Sequence, residues 1–259
     1  MPNNATGGVG SRLAKYKCFD FELYVDPTDR TASPIVNHGI YEHHIMPVFR
    51  EMVKPGMRVL DIGANIGVYC VAAAKLGAEV IAIDASPENC KLVALNAKLN
   101  GVSVEILPLA VSDKFGMLLF GRTNESNKVI RSFELAPHTF DHLDATFCAP
   151  LDVIIGNQRI DLVKIDIEGG EYAALKGADG LFAQRPIFFL EYSSSMALAG
   201  SGVPGSELLK LFTERGYRIM VIGLRGPNVE VGNDIAAVDR IAEEELAAGI
   251  TIIDLLLTP

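Results

Sequence analysis

The chain has 259 residues, 49% hydrophobic and 21% charged, an ordinary globular composition with enough length for a sizeable core. Its net charge of −9, with no block of lysine or arginine, argues against a nucleic-acid partner, whose phosphates seek the opposite field. The longest apolar runs, PIFFL and YRIMVIGL, fall well short of the ~18 residues a membrane helix needs, so no membrane partner is expected. The four cysteines, Cys18, Cys70, Cys90 and Cys148, lie far apart without a CxxC pair, and read as buried small hydrophobes in a reducing compartment. The polar start MPNNATGGVGS lacks a charged, apolar signal pattern, and the cytoplasm is the expected location.

Taken in chain order, residues 1–50 form an N-terminal extension, in which 12–50 read as a preface of two strand-like pieces and an amphipathic helix around EHHIMPVFREMV. The remaining residues, 51–259, read as one domain, with the preface expected to pack on its ligand site. RVLDIG is strand-like and VYCVAAAKLG is an alanine-rich helix ended by Gly77. EVIAID is a second strand. SPENCKLVALNAKLNG is a helix with Ser86 as N-cap, Pro87 at the first turn and Gly101 as its stop. VEILPLAV reads as a third strand and IDLVKIDI as a fourth, followed by the helix EYAALKGA. PIFFLEY, the helix SELLKLFTERG, YRIMVIGL and TIIDLLL complete seven strands. Residues 116–150 interrupt the pattern and read as a loop or small hairpin. The strand–helix alternation predicts an α/β fold with a parallel sheet covered on both faces, its last two strands free to pair antiparallel.

In such sheets ligands bind beyond the carboxyl ends of the strands, and an acid follows the first, second, fourth and fifth strands here. Asp61 precedes the turn Gly63-Ala64-Asn65-Ile66-Gly67. A dinucleotide turn would carry a third glycine where Asn65 stands, and the lysine of a phosphate loop is missing. A ligand without phosphate suits the turn better. S-adenosylmethionine is one: Asp61 would receive its ammonium and the turn's N–H groups its carboxylate. Asp84 closes the second strand where an acid takes both ribose hydroxyls. IDLVKIDIEGGE places Lys164, Asp166 and Glu168 on one strand face if the extension continues, with Glu171 read as a first-turn helix acid.

Together these motifs resemble the FkbM family of S-adenosylmethionine-dependent methyltransferases over roughly residues 39–195. DIGANIG, NAKLNG, AVSD and KIDIEGGE occur in the family's order, GIYEHH resembles its upstream aromatic-Glu element, and PLD its Leu-Asp. The resemblance implies a class I methyltransferase (Rossmann-like) sheet of seven strands in the order 3-2-1-4-5-7-6, helices on both faces, and O-methylation of a sugar or secondary metabolite. It implies that Asp61, Gly63, Ala64, Asn65 and Gly67 hold the methionine end and that Asp84 takes the ribose. Ala110 would flank the adenine over a floor at Ala85, Asp166 would lie beside the methyl group, and Tyr41 and Glu42 would close over the cofactor. Two departures stand out: Asp84-Ala85 replaces the family's Glu-Pro, and Glu191-Tyr192-Ser193 lacks its Glu-x-His.

Methyl transfer to an alcohol needs in-line alignment and a proton acceptor. Asp166 or Glu191 is the expected base, with Lys164 setting the local charge; His43, His44, His138 and His142 are weaker rivals, and no metal site is assigned. A small-molecule acceptor is expected, with a homodimer as the default assembly. A nicotinamide-dependent oxidoreductase and a non-catalytic nucleoside-binding module are the alternatives.

Overall fold

The computed structural model describes residues 12–29, 31–122, 127–130, 142–193 and 200–259. In chain order its elements are β1 (Ala14–Cys18), β2 (Phe21–Val25), α1 (Ser33–His38), α2 (Ile45–Met52), β3 (Arg58–Ile62) and α3 (Val68–Lys75). Next come β4 (Glu79–Ile83), α4 (Pro87–Leu99), β5 (Glu105–Leu107), β6 (Ala110–Val111), β7 (Gly116–Arg122), β8 (Asn127–Ile130) and β9 (His142–Ala149). The chain continues through α5 (Leu151–Ile155), β10 (Leu162–Ile165), α6 (Glu171–Lys176), α7 (Asp179–Ala183), β11 (Ile187–Tyr192) and α8 (Gly205–Thr213). It ends in β12 (Arg218–Ile222), β13 (Val229–Gly232), α9 (Ile235–Ala247) and β14 (Ile253–Thr258).

The main sheet runs β13-β12-β14-β11-β10-β3-β4-β5. It has eight strands where seven are expected; β13 is the addition, paired antiparallel to β12 at the edge. β3, β4, β5, β10 and β11 are parallel, whereas β14 is antiparallel to both β11 and β12. The central strands are apolar and buried on both faces, as helix-covered parallel strands must be. Their buried charged pair, Asp61 and Lys164, stands in register on β3 and β10, while the more exposed Arg58–Glu79 ion pair joins the starts of β3 and β4.

Two other expectations are corrected. The third strand stops at Leu107, because Pro108 offers no N–H to continue a ladder. Ala110 then opens β6 in a second sheet of order β6-β9-β7-β8. Of residues 116–150, the described ones include β7 and β8, which pair antiparallel as a hairpin would, and β9, antiparallel to β7, so the segment is larger than the expected loop or small hairpin. His138, Phe133 and Phe140 lie outside the described residues, while Phe147 stands exposed on β9.

Local signals account for the helices that frame the site. Ser86 Oγ accepts from Asn89 N and caps α4 ahead of Pro87. Helix α3 is apolar nearly all round because both of its faces are covered: β3 and β4 lie on one side, α2 and β2 on the other. Phe49 of α2 meets Tyr69 of α3 edge-on, with ring centroids 4.8 Å apart. The NAKLNG helix end docks β2. Asn96 accepts from Tyr24 N (2.7 Å) and donates to Tyr24 O and Ile66 O, while Asn100 pairs the same way with Glu22 N and O. Side-chain amides thus stand in for a neighbouring strand, and Asn96, fully buried, also fixes a carbonyl of the glycine turn. On the other side of the sheet Phe182, Phe188, Phe212 and Tyr217 pack as mutually tilted or edge-on rings 5.0 to 6.0 Å apart.

Candidate active site

The turn after β3 is drawn tight against β10. Gly63 has φ +84°, and a Cβ there would fall 1.8 Å from the Asp166 carbonyl oxygen, so only glycine fits. Asn65 also lies at positive φ, 49°. The turn's N–H groups already have partners: Gly63 and Ala64 donate to Ile83 O, Gly67 to Ala64 O, and Asn65 to Asp84 Oδ2 at 2.8 Å. The expected use of these groups as a carboxylate cradle is therefore not free at these four positions.

Asp84 binds the turn to the next helix. Its other oxygen accepts from Ser86 N (2.8 Å) and Asn89 Nδ2 (3.1 Å), and its own N–H donates to Leu107 O. Burial raises its carboxyl above the usual range, with these hydrogen bonds opposing. Three donors leave part of the carboxylate's roughly four acceptor positions open for a hydroxyl. Ala85 follows it, half-buried, and buried Ala110 opens β6 beyond the end of β5.

The charged centre lies across β3, β10, β11 and β14. Lys164, buried, sets its ammonium 3.2 Å from Asp166 Oδ2 and 5.2 Å from the centroid of the Tyr69 ring. Burial alone would lower its pKa, but Asp166, Glu42, Asp254 and Glu191 together hold it well above the ordinary lysine value. The extension does not run on to Glu168, whose φ of 55° turns the chain away. Glu171 is buried and accepts from Ile167 N and Gly169 N, so it shapes that turn. Glu191 stands opposite Asp254 in the β11–β14 register. Burial, then Asp166, raises Glu191 well above an ordinary carboxyl, with Lys164 opposing.

Asp61 is only 2% exposed, and Cys70 Sγ donates to it at 3.0 Å, a weak donor for a buried carboxylate. Burial pushes it up to about 6, against the pull of Cys70 and Lys164. From the preface, Glu42 accepts from Tyr69 OH. Burial, opposed by Lys164 and reinforced by Asp254 and Asp166, pushes Glu42 up to about 7. Tyr41 packs edge-on to Tyr69, with centroids 6.5 Å apart. Among the described residues the site therefore gathers carboxyl groups around one lysine.

A sequence model of the family described as the Methyltransferase FkbM domain matches residues 61–219, more than half of the chain. The chain belongs to the FkbM methyltransferase family. Curated relatives match over shorter stretches. A ribosomal protein L11 methyltransferase of Caldicellulosiruptor bescii is 36% identical over 88 residues, 31% of this chain and 29% of that protein. A ubiquinone biosynthesis O-methyltransferase of Rhizobium etli is 30% identical over 97 residues, 37% of each chain. These alignments thus span little more than a third of the relatives' own length. Among solved structures, Methanocaldococcus jannaschii Trm5 in complex with adenosine superposes with a TM-score of 0.50 at 15% identity, covering 97% of this chain and 56% of that one, a likeness of fold. The fold of this FkbM member is that of the class I methyltransferases, an α/β architecture around a large mixed sheet.

Of the residues expected from the sequence, Tyr41, Glu42, Asp61, Lys164, Asp166 and Glu191 share one electrostatic cluster, tied through Gly63 and Asn65 to Asp84. Tyr69, Asn96 and Asp254 escaped the sequence reading. Asp254 had a visible signal, a single acid inside the apolar strand TIIDLLL. His43 and His44 precede α2 rather than lying in it, with His44 at its N-cap.

Proposed function

We propose that this protein is an S-adenosylmethionine-dependent methyltransferase acting on the hydroxyl of a small molecule, a sugar or a secondary metabolite. The observation that carries the reading is Asp61: a buried carboxylate with a weak thiol donor, at the strand end of a methyltransferase-family turn, suits an ammonium. When bound, S-adenosylmethionine supplies a methyl group on a sulfonium. Asp61 would hold the cofactor's amino group, Asp84 would take ribose hydroxyls at its remaining acceptor positions, and Ala85 and Ala110 would border the base. Gly63, Ala64, Asn65 and Gly67 shape the turn against which the methionine end lies. Tyr41 and Glu42 would close the cleft from the preface, and Asp166 would face the methyl group.

A hydroxyl acceptor suits a site rich in acceptor atoms, and one named relative is an O-methyltransferase. RNA methyltransferases do occur among chains of similar fold. Two features oppose a nucleic acid here: the net charge of −9 and the carboxylates around Lys164, which would repel phosphate. In single-turnover assays with methyl-labelled S-adenosylmethionine and a fractionated cell extract, the label is expected in the small-molecule fraction. Label confined to RNA or protein would overturn the acceptor class.

A further inference from the structure

Methylating a hydroxyl requires somewhere to put its proton, and the expected carboxylates are poorly placed to take it. Asp166 already accepts the Lys164 ammonium, and Glu191 stands opposite another acid, Asp254. Across 210 residues of sequence, however, His44 of the preface reaches β14: its Nε2 lies 2.8 Å from Asp254 Oδ2. Both side chains are mostly buried, 12% and 15% exposed. The other ring nitrogen, His44 Nδ1, is buried and has no hydrogen-bond partner among the described residues.

A carboxylate can only accept, so Nε2 carries the hydrogen of that bond. Nδ1 must then hold either a lone pair or a second N–H. A buried N–H with no acceptor, on a charged ring, is the costlier choice; a lone pair that awaits a donor is the cheaper one. This is the arrangement of a general base: one ring nitrogen oriented by an acid, the opposite one buried and without a partner among the described residues. The pair also sits at the site. Asp254 faces Glu191 across the β11–β14 register and acts electrostatically on Lys164, Glu42 and Tyr69. Among the described residues, the charged or titratable groups around the pair include Lys164 from β10, Glu191 from β11, Glu42 from the preface, Tyr69 from α3, and His43, whose ring centroid is 5.5 Å from that of His44.

We propose that His44 Nδ1 is the base that receives the acceptor's hydroxyl proton, and that Asp254 is the residue that positions it. This rests on the reading of the site as a hydroxyl methyltransferase. The acceptor O–H donates to Nδ1. As the oxygen's electron pair forms the bond to the methyl carbon, the carbon–sulfur pair stays on sulfur, leaving a neutral thioether. The hydroxyl proton passes to Nδ1, giving an imidazolium held against Asp254, and then leaves to solvent. The sum is alcohol plus sulfonium giving ether, thioether and one proton.

The test uses the full chain labelled with ¹⁵N-histidine, saturated with S-adenosylhomocysteine at pH 7.5. Long-range proton–nitrogen spectra report which ring nitrogen is protonated, and His44→Gln identifies the His44 signals by their loss. The expected state is a protonated Nε2 and a bare Nδ1. A proton on Nδ1, in the other tautomer or in an imidazolium, overturns the proposal. Glutamine can still donate to Asp254 but lacks a base, so His44→Gln should bind S-adenosylhomocysteine like the wild type. Its methyl transfer to extract hydroxyl acceptors should fall by roughly 10²–10⁴-fold. Asp254→Asn should shift the His44 proton to Nδ1, with a comparable loss. If His44→Gln loses cofactor affinity, or keeps its full rate, His44 is not the base. If the wild type itself fails to bind S-adenosylhomocysteine, the methyltransferase reading fails, a result distinct from a wrong tautomer on a binding-competent protein.

Discussion

Gly63 and Asp61 show how single residues set this site. A methyl group at Gly63 would collide with the Asp166 carbonyl and would also need φ +84°. Gly63→Ala is expected to destabilise the fold by about 3 kcal/mol or more and to abolish cofactor binding. A wild-type Tm for this variant in calorimetry would contradict the close packing of turn and strand. Asp61 works in the opposite sense. Its folded pKa of about 6 lies above the ordinary aspartate value of about 3.9, so the folded state holds the proton more tightly than the unfolded chain does. As pH rises from about 4 to 6 this group removes stability, on the order of 1–3 kcal/mol in all. Asp61→Asn should therefore raise Tm at pH 8 while weakening S-adenosylhomocysteine binding. In the wild type the affinity should be flat above about pH 7 and fall below about 6, by at most tenfold per pH unit for this group, as protonation removes the ammonium's partner. Affinity that holds steady down to pH 5 would detach Asp61 from the ligand.

Individual elements were legible to different degrees, for physical reasons. β3, β4, β10 and β11 announce themselves as short apolar runs that end in acids, and α4 as a helix with its cap, proline and glycine in place. The strand read as VEILPLAV was drawn too long because the apolar pattern continues through Pro108, although the hydrogen-bond ladder does not. The second sheet was hidden because β6 is only two residues long and its partner β9 starts as far on as His142, a pairing that local pattern does not connect. Asn96 was noticed only as part of a helix end. Its amide in fact satisfies Tyr24 N, Tyr24 O and Ile66 O, groups on two other segments that local periodicity does not connect. Asn96→Leu is expected to leave those groups unpaired and to cost about 2–4 kcal/mol, roughly 1–3 for the buried Ile66 carbonyl and about 1 for the two part-buried Tyr24 groups together. Denaturant unfolding would show it as a lower midpoint at unchanged slope, and an unchanged midpoint would refute the docking role of the NAKLNG motif.

For the whole molecule, the preface is where sequence reading fell furthest short. Cofactor-site acids could be placed from strand ends because topology brings strand ends together. The match between His44 and Asp254 depends on how residues 12–50 fold back over α3 and reach the last strand, which no motif encodes. The preface thereby covers the apolar outer face of α3 and adds Tyr41, Glu42 and His44 to an otherwise strand-built site. The central claim, that the acids ending β3 and β4 and the Lys164–Asp166 pair of β10 serve one sulfonium nucleoside, can be measured on the intact chain. Calorimetric titration with S-adenosylhomocysteine at pH 8 should give one saturable site per chain, with affinity lost in both Asp61→Asn and Asp84→Asn. Absence of any binding heat and of any Tm shift in the wild type, or wild-type affinity in both variants, would contradict it.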